Sequence, residues 1–195
     1  MEKIKNDIKK HIYLKLSDPD MLFSEHQLAA DFGLKRGNVR EILLGLEGEG
    51  VVQRMPQRGY KCVNYLGTER EVIKKVRCTV EYQAVRIAFE KAQTEDYVRL
   101  ALLIEDMERA CLENDVAEFV EKDMQFHTAL VNASNDNFLI KIFSFMSSTV
   151  FHINKDADHD IMMKESLDDH KNIFNGLRQK DWESVEKRLL FHLRV

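Results

Sequence analysis

The chain has 195 residues, 44% of them hydrophobic and 32% charged, and its formal net charge is −4. This is the balance of a globular protein with one large or two modest domains. It excludes a membrane-spanning helix, because no apolar run reaches about 18 residues, and the lysine-rich start lacks the apolar core of a secretory signal peptide. Three scattered cysteines favour free thiols in a reducing compartment, so we expect a cytoplasmic protein with no membrane partner.

The first elements in the chain predict a helix-turn-helix. Aliphatic residues recur at every fourth position over residues 1–16, which indicates a first helix. Ser24 and Gln27 have the spacing of a capping box at the start of a second helix. Gly33 follows as the tight turn, where a left-handed backbone costs least in glycine. A third helix begins at about Arg36 with apolar residues on its inner face.

Basic residues mark the exposed side of this region. Arg36 and Arg40 lie one turn apart on the outer face of the third helix, where a recognition helix presents guanidinium groups to guanine edges and phosphates. An ordinary helical hairpin with two solvated arginines is the alternative from spacing alone. Two short strands, over residues 51–54 and 60–63, then predict a β-hairpin whose basic residues are Arg54, Arg58 and Lys61. The combination is typical of a winged helix that binds DNA.

The distribution of glycine, proline and charge divides the chain into two predicted domains, residues 1–66 and 67–195. Seven of the eight glycines and both prolines lie at or before Gly67. The remainder has almost no helix breakers, so we predict an all-α bundle of about six helices and a mainly α fold class. The first domain carries a net charge of +2 and the second −6. The charge asymmetry is compatible with a small basic domain for DNA binding that precedes an acidic domain.

One group of side chains in the second domain has the composition of a metal site. Asp123 and His127 are four residues apart and share a face of the third helix of the bundle. His170 and His192 lie on two later helices. One carboxylate and three imidazoles that converged there would suit Zn²⁺, Ni²⁺ or Mn²⁺. A simple helix salt bridge between Asp123 and His127 is the alternative.

Residues 24–59 resemble the N-terminal domain of GntR-type transcriptional regulators. The matching residues are Ser24-Glu25, Leu28-Ala29, Gly33, Arg36, Val39-Arg40-Glu41, Leu46-Glu47, Glu49-Gly50 and Arg58-Gly59. His26 stands where the family usually has a DNA-contacting arginine, Lys35 replaces a common Ser or Thr, and Gly37-Asn38 replace a common Thr-Pro. The resemblance implies a winged helix whose DNA-binding candidates are Ser24, Glu25, His26, Lys35, Arg36, Asn38, Arg40, Arg58 and Gly59.

The second domain is similar to the ligand-binding domain of the FadR-like branch of these regulators. The matching residues are Arg86 and Glu90; Asp123, Phe126 and His127; Ala133-Ser134-Asn135; His170; Asp181; and His192-Leu193. The resemblance implies that Asp123, His127, His170 and His192 bind a divalent transition metal, which receives a small carboxylate effector. Arg86 and Asn135 are candidate effector-binding residues. The alternative for Arg86 is a salt bridge to Glu90, and the alternative for Asn135 is a turn-capping role.

These expectations combine into one predicted mechanism. A homodimer binds a pseudo-palindromic operator in double-stranded DNA, and a small organic acid at the metal changes the placement of the two DNA-binding domains. The predicted function is a transcriptional regulator, in the common case a repressor, and not an enzyme. A metal-only sensor remains an alternative, as does a helical metalloenzyme that uses the same four residues to activate water.

Overall fold

The computed structural model describes residues 2–14, 21–63, 68–147 and 159–193. These residues fall into two compact units that divide between Arg70 and Glu71. The predicted domain boundary after residue 66 lies outside the described residues, as does the predicted end of the first helix at residue 16.

The first unit is a winged helix-turn-helix. Its elements are α1 (Glu2–Leu14), β1 (Leu22–Phe23), α2 (Glu25–Asp31), α3 (Arg36–Gly48), β2 (Val52–Met55) and β3 (Gly59–Cys62). The three strands form an antiparallel sheet in the order β1-β3-β2. The inner faces of the helices pack against this sheet and form one hydrophobic core. The core includes Ile8, Ile12, Leu28, Val39, Leu43, Leu46, Val52 and Tyr60. The helix-turn-helix and the hairpin are confirmed, whereas β1 was not predicted because two residues carry no periodicity.

Two positions in this unit require glycine for reasons of backbone conformation or space. Gly33 has φ +62° in the turn between α2 and α3, the left-handed conformation that glycine adopts at no cost. Gly59 opens β3 with φ +104°, and a Cβ there would lie 2.5 Å from the carbonyl oxygen of Phe23 on β1. The backbone of the hairpin therefore approaches β1 closely, and any side chain at Gly59 would force the two strands apart.

In the described residues, the second unit is a bundle of six helices, as predicted. They are α4 (Thr68–Lys91), α5 (Thr94–Glu113), α6 (Val116–Asn132), α7 (Asn137–Ser147), α8 (His159–Gln179) and α9 (Trp182–Leu193). A capping box of Gln93 and Asp96 starts α5, and the Asp115 carboxylate accepts the backbone N–H of Glu118 at the start of α6. The core is apolar and drawn mainly from α5, α6, α8 and α9, with Leu100, Met107, Phe119, Phe126, Leu130, Met163, Ile173 and Leu189 among its members.

Gly176 lies where α8 packs on α9. A Cβ at this position would be 2.7 Å from the Cγ2 atom of Val185, which is fully buried. The glycine therefore lets the two helices approach closely, and this close packing fixes the register between His170 on α8 and His192 on α9. Among the described residues, no helix combines the length and the hydrophobicity that a bilayer crossing requires.

Candidate metal centre and DNA interface

Four side chains from three helices converge inside the second unit. Asp123 and His127 come from α6, His170 from α8 and His192 from α9, and one potential ligand atom from each lies within 4.8 Å of the others. His127 and His170 are buried, while Asp123 and His192 are partly buried. The structure thus brings together all four residues that the resemblance implied.

The ring nitrogens in this cluster face one another. The Nε2 atom of His127 lies 3.1 Å from Nε2 of His192 and 3.4 Å from Nε2 of His170. Asp123 Oδ1 is 3.5 Å from His170 Nε2, and Oδ2 is 3.9 Å from His127 Nε2. Ligands about 2.0–2.1 Å from one Zn²⁺ ion, at angles of about 90–109°, would be about 2.8–3.4 Å apart. The two nitrogen separations fit such a shell.

The carboxylates of Glu81 and Asp169 are hydrogen bonded to the other ring nitrogen, Nδ1, of His127 and His192 respectively. The Nδ1–H of His127 donates to Oε1 of Glu81 on α4, and that of His192 donates to Oδ2 of Asp169 over 3.2 Å. With the protons on Nδ1, the Nε2 lone pairs of both rings point into the cluster. Two lone pairs 3.1 Å apart repel each other unless a cation or a proton lies between them. Carboxylate–histidine pairs of this kind orient imidazoles in metal sites.

The three histidines of the cluster differ in the direction in which their pKa values are shifted. Burial lowers the pKa of His127, but the adjacent Glu81 carboxylate outweighs this and leaves the pKa above its usual value. Burial, together with the charge of His127, moves the pKa of His170 well below its usual value and also lowers that of His192. Those two rings are therefore neutral near pH 7, the protonation state that a metal ligand needs.

Glu81 and Arg77 are the site residues that sequence reasoning missed. Glu81 is fully buried, and its Oε2 atom lies 3.8 Å from Nε of Arg77, although neither atom has a hydrogen-bond partner among the described residues. The Arg-x-x-x-Glu pattern occurs twice on α4, and the resemblance was matched to the later copy, Arg86 and Glu90. The earlier copy, Arg77 and Glu81, is the one whose glutamate contacts the cluster, through His127.

The two predicted effector-binding residues lie elsewhere. Arg86 is exposed, and its guanidinium carbon is 4.5 Å from the ring centroid of Trp182, with no ion pair to Glu90 among the described residues. Asn135 is an exposed left-handed residue, with φ 51°, in the turn between α6 and α7. No contact of either side chain with the cluster occurs in the described part of the chain. The turn geometry favours the alternative role of Asn135.

The predicted DNA-binding residues of the first unit lie around the start of α2, the start of α3 and the hairpin. The side chains of Arg36 and Arg40 are 68% and 58% exposed, and Glu25 lies 3.8 Å and 3.6 Å from them. His26, Lys35, Asn38 and Arg58 are exposed as well. A basic surface is therefore available on α3 and at the tip of the wing.

Two of the DNA-binding candidates have structural roles. The Ser24 hydroxyl oxygen accepts the backbone N–H of Gln27 over 3.0 Å and caps α2. Gly59 allows the close approach to β1 described above. Glu25 forms ion pairs with Arg36 and Arg40, the two arginines of α3.

Known proteins match the chain over both units. The family described as "Bacterial regulatory proteins, gntR family" matches residues 1–61, and the FCD domain matches residues 73–195. The Bacillus subtilis HTH-type transcriptional regulator YdhC is 25% identical over 96% of this chain and 84% of its own length. The gluconate operon transcriptional repressor of Bacillus licheniformis is 25% identical over 94% of this chain and 77% of its own length.

The fold also matches solved structures. That of Escherichia coli McbR/YncC superposes with a TM-score of 0.86 at 20% identity and covers 98% of this chain and 92% of the other. The FCD match alone spans more than half of the sequence, and the gntR match covers the winged helix. The chain therefore belongs to the GntR family of bacterial transcriptional regulators, with a gntR-type DNA-binding domain followed by an FCD domain.

Proposed function

We propose that the protein is a homodimeric, cytoplasmic repressor whose affinity for operator DNA is set by a small organic acid bound at a divalent transition metal. The single observation that carries the proposal is the convergence of Asp123, His127, His170 and His192 in a chain whose other unit is a winged helix. One unit thus offers a DNA-binding surface and the other a ligand site.

The first unit supports operator binding. Arg36 and Arg40 are exposed one turn apart on α3 and can bond to guanine edges or phosphates in the major groove. Lys35, Asn38 and His26 surround them, and Arg58 would approach the adjacent groove from the wing. A domain with a net charge of only +2 has weak affinity alone, so two copies on two half-sites are needed for tight binding.

The donor set of the cluster supports a transition metal. Three imidazole nitrogens and one carboxylate oxygen suit Zn²⁺, Ni²⁺ or Mn²⁺, and they do not form the all-oxygen set that Ca²⁺ or Mg²⁺ prefers. His127, His170, His192 and Asp123 would hold the ion. A bound metal would supply a Lewis-acidic position for one oxygen of an anionic effector.

Arg77 is the best candidate for the second contact of that effector. Its side chain is only 15% exposed, its guanidinium carbon lies 5.3 Å from the ring centroid of Phe143, and its Nε atom has no hydrogen-bond partner among the described residues. A planar guanidinium is suited to bind a carboxylate with two hydrogen bonds. The name of the gluconate operon repressor is consistent with an organic acid as ligand.

The chain connectivity provides a route from ligand to DNA. Arg77 and Glu81 lie on α4, which is the first helix after the winged helix in the sequence. A ligand that contacts both the cluster and α4 would favour one position of this helix. It changes operator affinity only if it binds one arrangement of the dimer more tightly than the other.

Thermal melting tests the ligand half of the proposal. Ligands that bind only the folded state raise the melting temperature. Chelator-treated protein should melt at a higher temperature with Zn²⁺, Ni²⁺ or Mn²⁺, and His127→Ala should abolish the shift. A further shift with one member of a panel of sugar acids and small dicarboxylates would identify the effector class. The absence of any metal-dependent shift in the wild-type protein would overturn the metal site.

A metal-only sensor is the second candidate. The burial of His127 and His170 favours it, because a closed site would respond to metal occupancy without an organic ligand. Operator affinity that changes with metal, but with none of the acids, would replace the proposed mechanism by this one.

A further inference from the structure

A chain of hydrogen bonds joins His192 to two residues outside the four-ligand cluster. Asp169 Oδ2 accepts Nδ1–H of His192 over 3.2 Å, and Asp169 Oδ1 accepts a hydrogen bond from Nη1 of Arg188 over 2.9 Å. Asp169 is only 7% exposed, so its two oxygens are shielded from solvent and are each satisfied by one partner.

The hydrogen bond between Asp169 and His192 joins two helices. His192 lies on α9 (Trp182–Leu193). Asp169 lies in the middle of α8, where the backbone is hydrogen bonded on both sides. The bond between them therefore fastens α9 to the centre of α8.

We propose that Asp169 and Arg188 are positioning residues that fix the ring and the tautomer of His192, a role that rests on the metal site proposed above. Asp169 keeps the proton on Nδ1 and aims Nε2 at the cluster. Arg188 holds the first carboxylate oxygen and so presents the second one to His192. Neither side chain is a ligand in this arrangement.

The Asp169→Asn variant tests the claim because its geometry predicts the wrong tautomer. Arg188 can donate only to the amide oxygen, which turns the amide NH₂ group towards His192. Nδ1 must then accept, and the proton moves to Nε2, where it blocks the lone pair that faces the cluster. We expect a loss of Zn²⁺ affinity of at least the roughly 10–100-fold typical of such outer partners.

The Arg188 variants test whether Arg188 acts on His192 through Asp169. Arg188→Ala should weaken Zn²⁺ binding less than Asp169→Asn does, and Arg188→Lys, which keeps a donor to Asp169, should recover part of the loss. In the double variant Asp169→Asn/Arg188→Ala the amide is free to rotate, so its oxygen can again accept from Nδ1. The double variant should therefore bind Zn²⁺ more tightly than Asp169→Asn alone.

Arg178→Ala is the matched control. Arg178 and Arg188 both place their guanidinium carbons over phenylalanine rings, at 5.6 Å from Phe174 and 5.7 Å from Phe191. Arg178 makes no bond to Asp169, so its replacement should leave Zn²⁺ affinity unchanged.

The experiment has two readouts on the full chain: Zn²⁺ affinity by competition with a chelator, and the ring ¹⁵N chemical shifts of His192 in the metal-free protein. A move of the His192 proton to Nε2 in Asp169→Asn, with weaker Zn²⁺ binding, supports the proposal. Wild-type affinity and an unchanged tautomer in Asp169→Asn would overturn this inference and leave the metal site intact. A wild-type protein that binds no Zn²⁺, Ni²⁺ or Mn²⁺ would overturn both.

Discussion

Glu81 on α4 is hydrogen bonded to the Nδ1 atom of His127 on α6, and both side chains are buried. The bond joins the first helix of the second unit to the centre of the candidate metal site. It also explains why a carboxylate is buried there: the histidine ring and the nearby Arg77 compensate for its charge. The pair is thus both a structural contact and a support for a ligand.

Replacement of Glu81 should affect metal binding and stability together. Glu81→Gln removes the charge that orients His127, so we expect Zn²⁺ affinity to fall roughly 10–100-fold. We also expect the free energy of unfolding of the metal-free protein to fall by roughly 1–3 kcal/mol, because a buried charged hydrogen bond is weakened. Chelator competition and urea denaturation measure the two effects.

Glu90→Gln is the control for this prediction, because Glu90 occupies the same place in the second Arg-x-x-x-Glu pattern of α4 but is exposed. It should change neither quantity. If the two variants behave alike, the assignment of Arg77 and Glu81 to the site is wrong.

The metal-free protein should lose stability as the pH falls from about 7 to about 5. The pKa values of His170 and His192 are lower in the folded protein than in the unfolded chain, so unfolding takes up protons once the pH is below the unfolded value. The raised pKa of His127 has the opposite effect on stability. It stabilises the folded protein below the pKa of the unfolded chain, and this contribution is lost as the pH rises above that value. Each proton taken up changes the free energy of unfolding by about 1.4 kcal/mol per pH unit.

Urea denaturation of chelator-treated protein at pH 5, 6 and 7 measures this slope. The His170→Leu variant lacks the most strongly shifted histidine, so its stability should depend less steeply on pH. An identical slope in the variant would contradict the claim that His170 is held neutral.

Arg40 should contribute to operator recognition rather than to the fold. Arg40→Ala removes a guanidinium from the exposed face of α3, and we expect specific affinity to fall by roughly 1–3 kcal/mol with unchanged thermal stability. Fluorescence anisotropy on a duplex selected from random DNA measures this change. Arg99→Ala, which removes an exposed arginine from α5, should bind the same duplex like the wild type. Equal affinity of Arg40→Ala and the wild type would refute the recognition role of α3.

Gly176 should be intolerant of even one added methyl group. A Cβ at 2.7 Å from Val185 Cγ2 forces α8 and α9 apart, and overpacking of this kind costs roughly 1–3 kcal/mol. Gly176→Ala should therefore lower the melting temperature and weaken metal binding, since the two helices carry His170 and His192.

A second substitution makes this prediction specific. Val185→Ala removes the methyl group that clashes, so it should recover metal affinity in the Gly176→Ala background. Gly48→Ala, at a helical glycine with no atom within 4 Å of the added Cβ, should not destabilise the protein. A Gly176→Ala variant as stable as the wild type would show that the helix crossing can relax.

The sequence predicted the elements better than the contacts between them. Capping residues and helical periodicity predicted α2 and α3, and the scarcity of helix breakers predicted the helical bundle, because these signals are local in the chain. The pairing of Asp123 with His127 was also local, at a spacing of one helical turn. Their meeting with His170 and His192 depends on the register between separate helices, which the resemblance implied and which periodicity alone could not provide.

The residues that were missed show where local patterns fail. Arg77-x-x-x-Glu81 and Arg86-x-x-x-Glu90 have the same spacing on one helix, and no feature of the sequence alone says which copy faces inward. Asp169 precedes a predicted ligand but has no signal of its own, because its role is defined by Arg188 and His192 on another helix.

The most direct test of the account is operator affinity measured by anisotropy on chelator-treated protein, with added metal, and with metal plus the acid that stabilises the fold. We predict that the acid changes the affinity at least about fivefold, the lower range of typical allosteric coupling. The change should require both metal and His127, and it should be lost in Arg77→Ala. An affinity that stays constant while metal and acid both bind would contradict the claim that the second unit controls DNA binding.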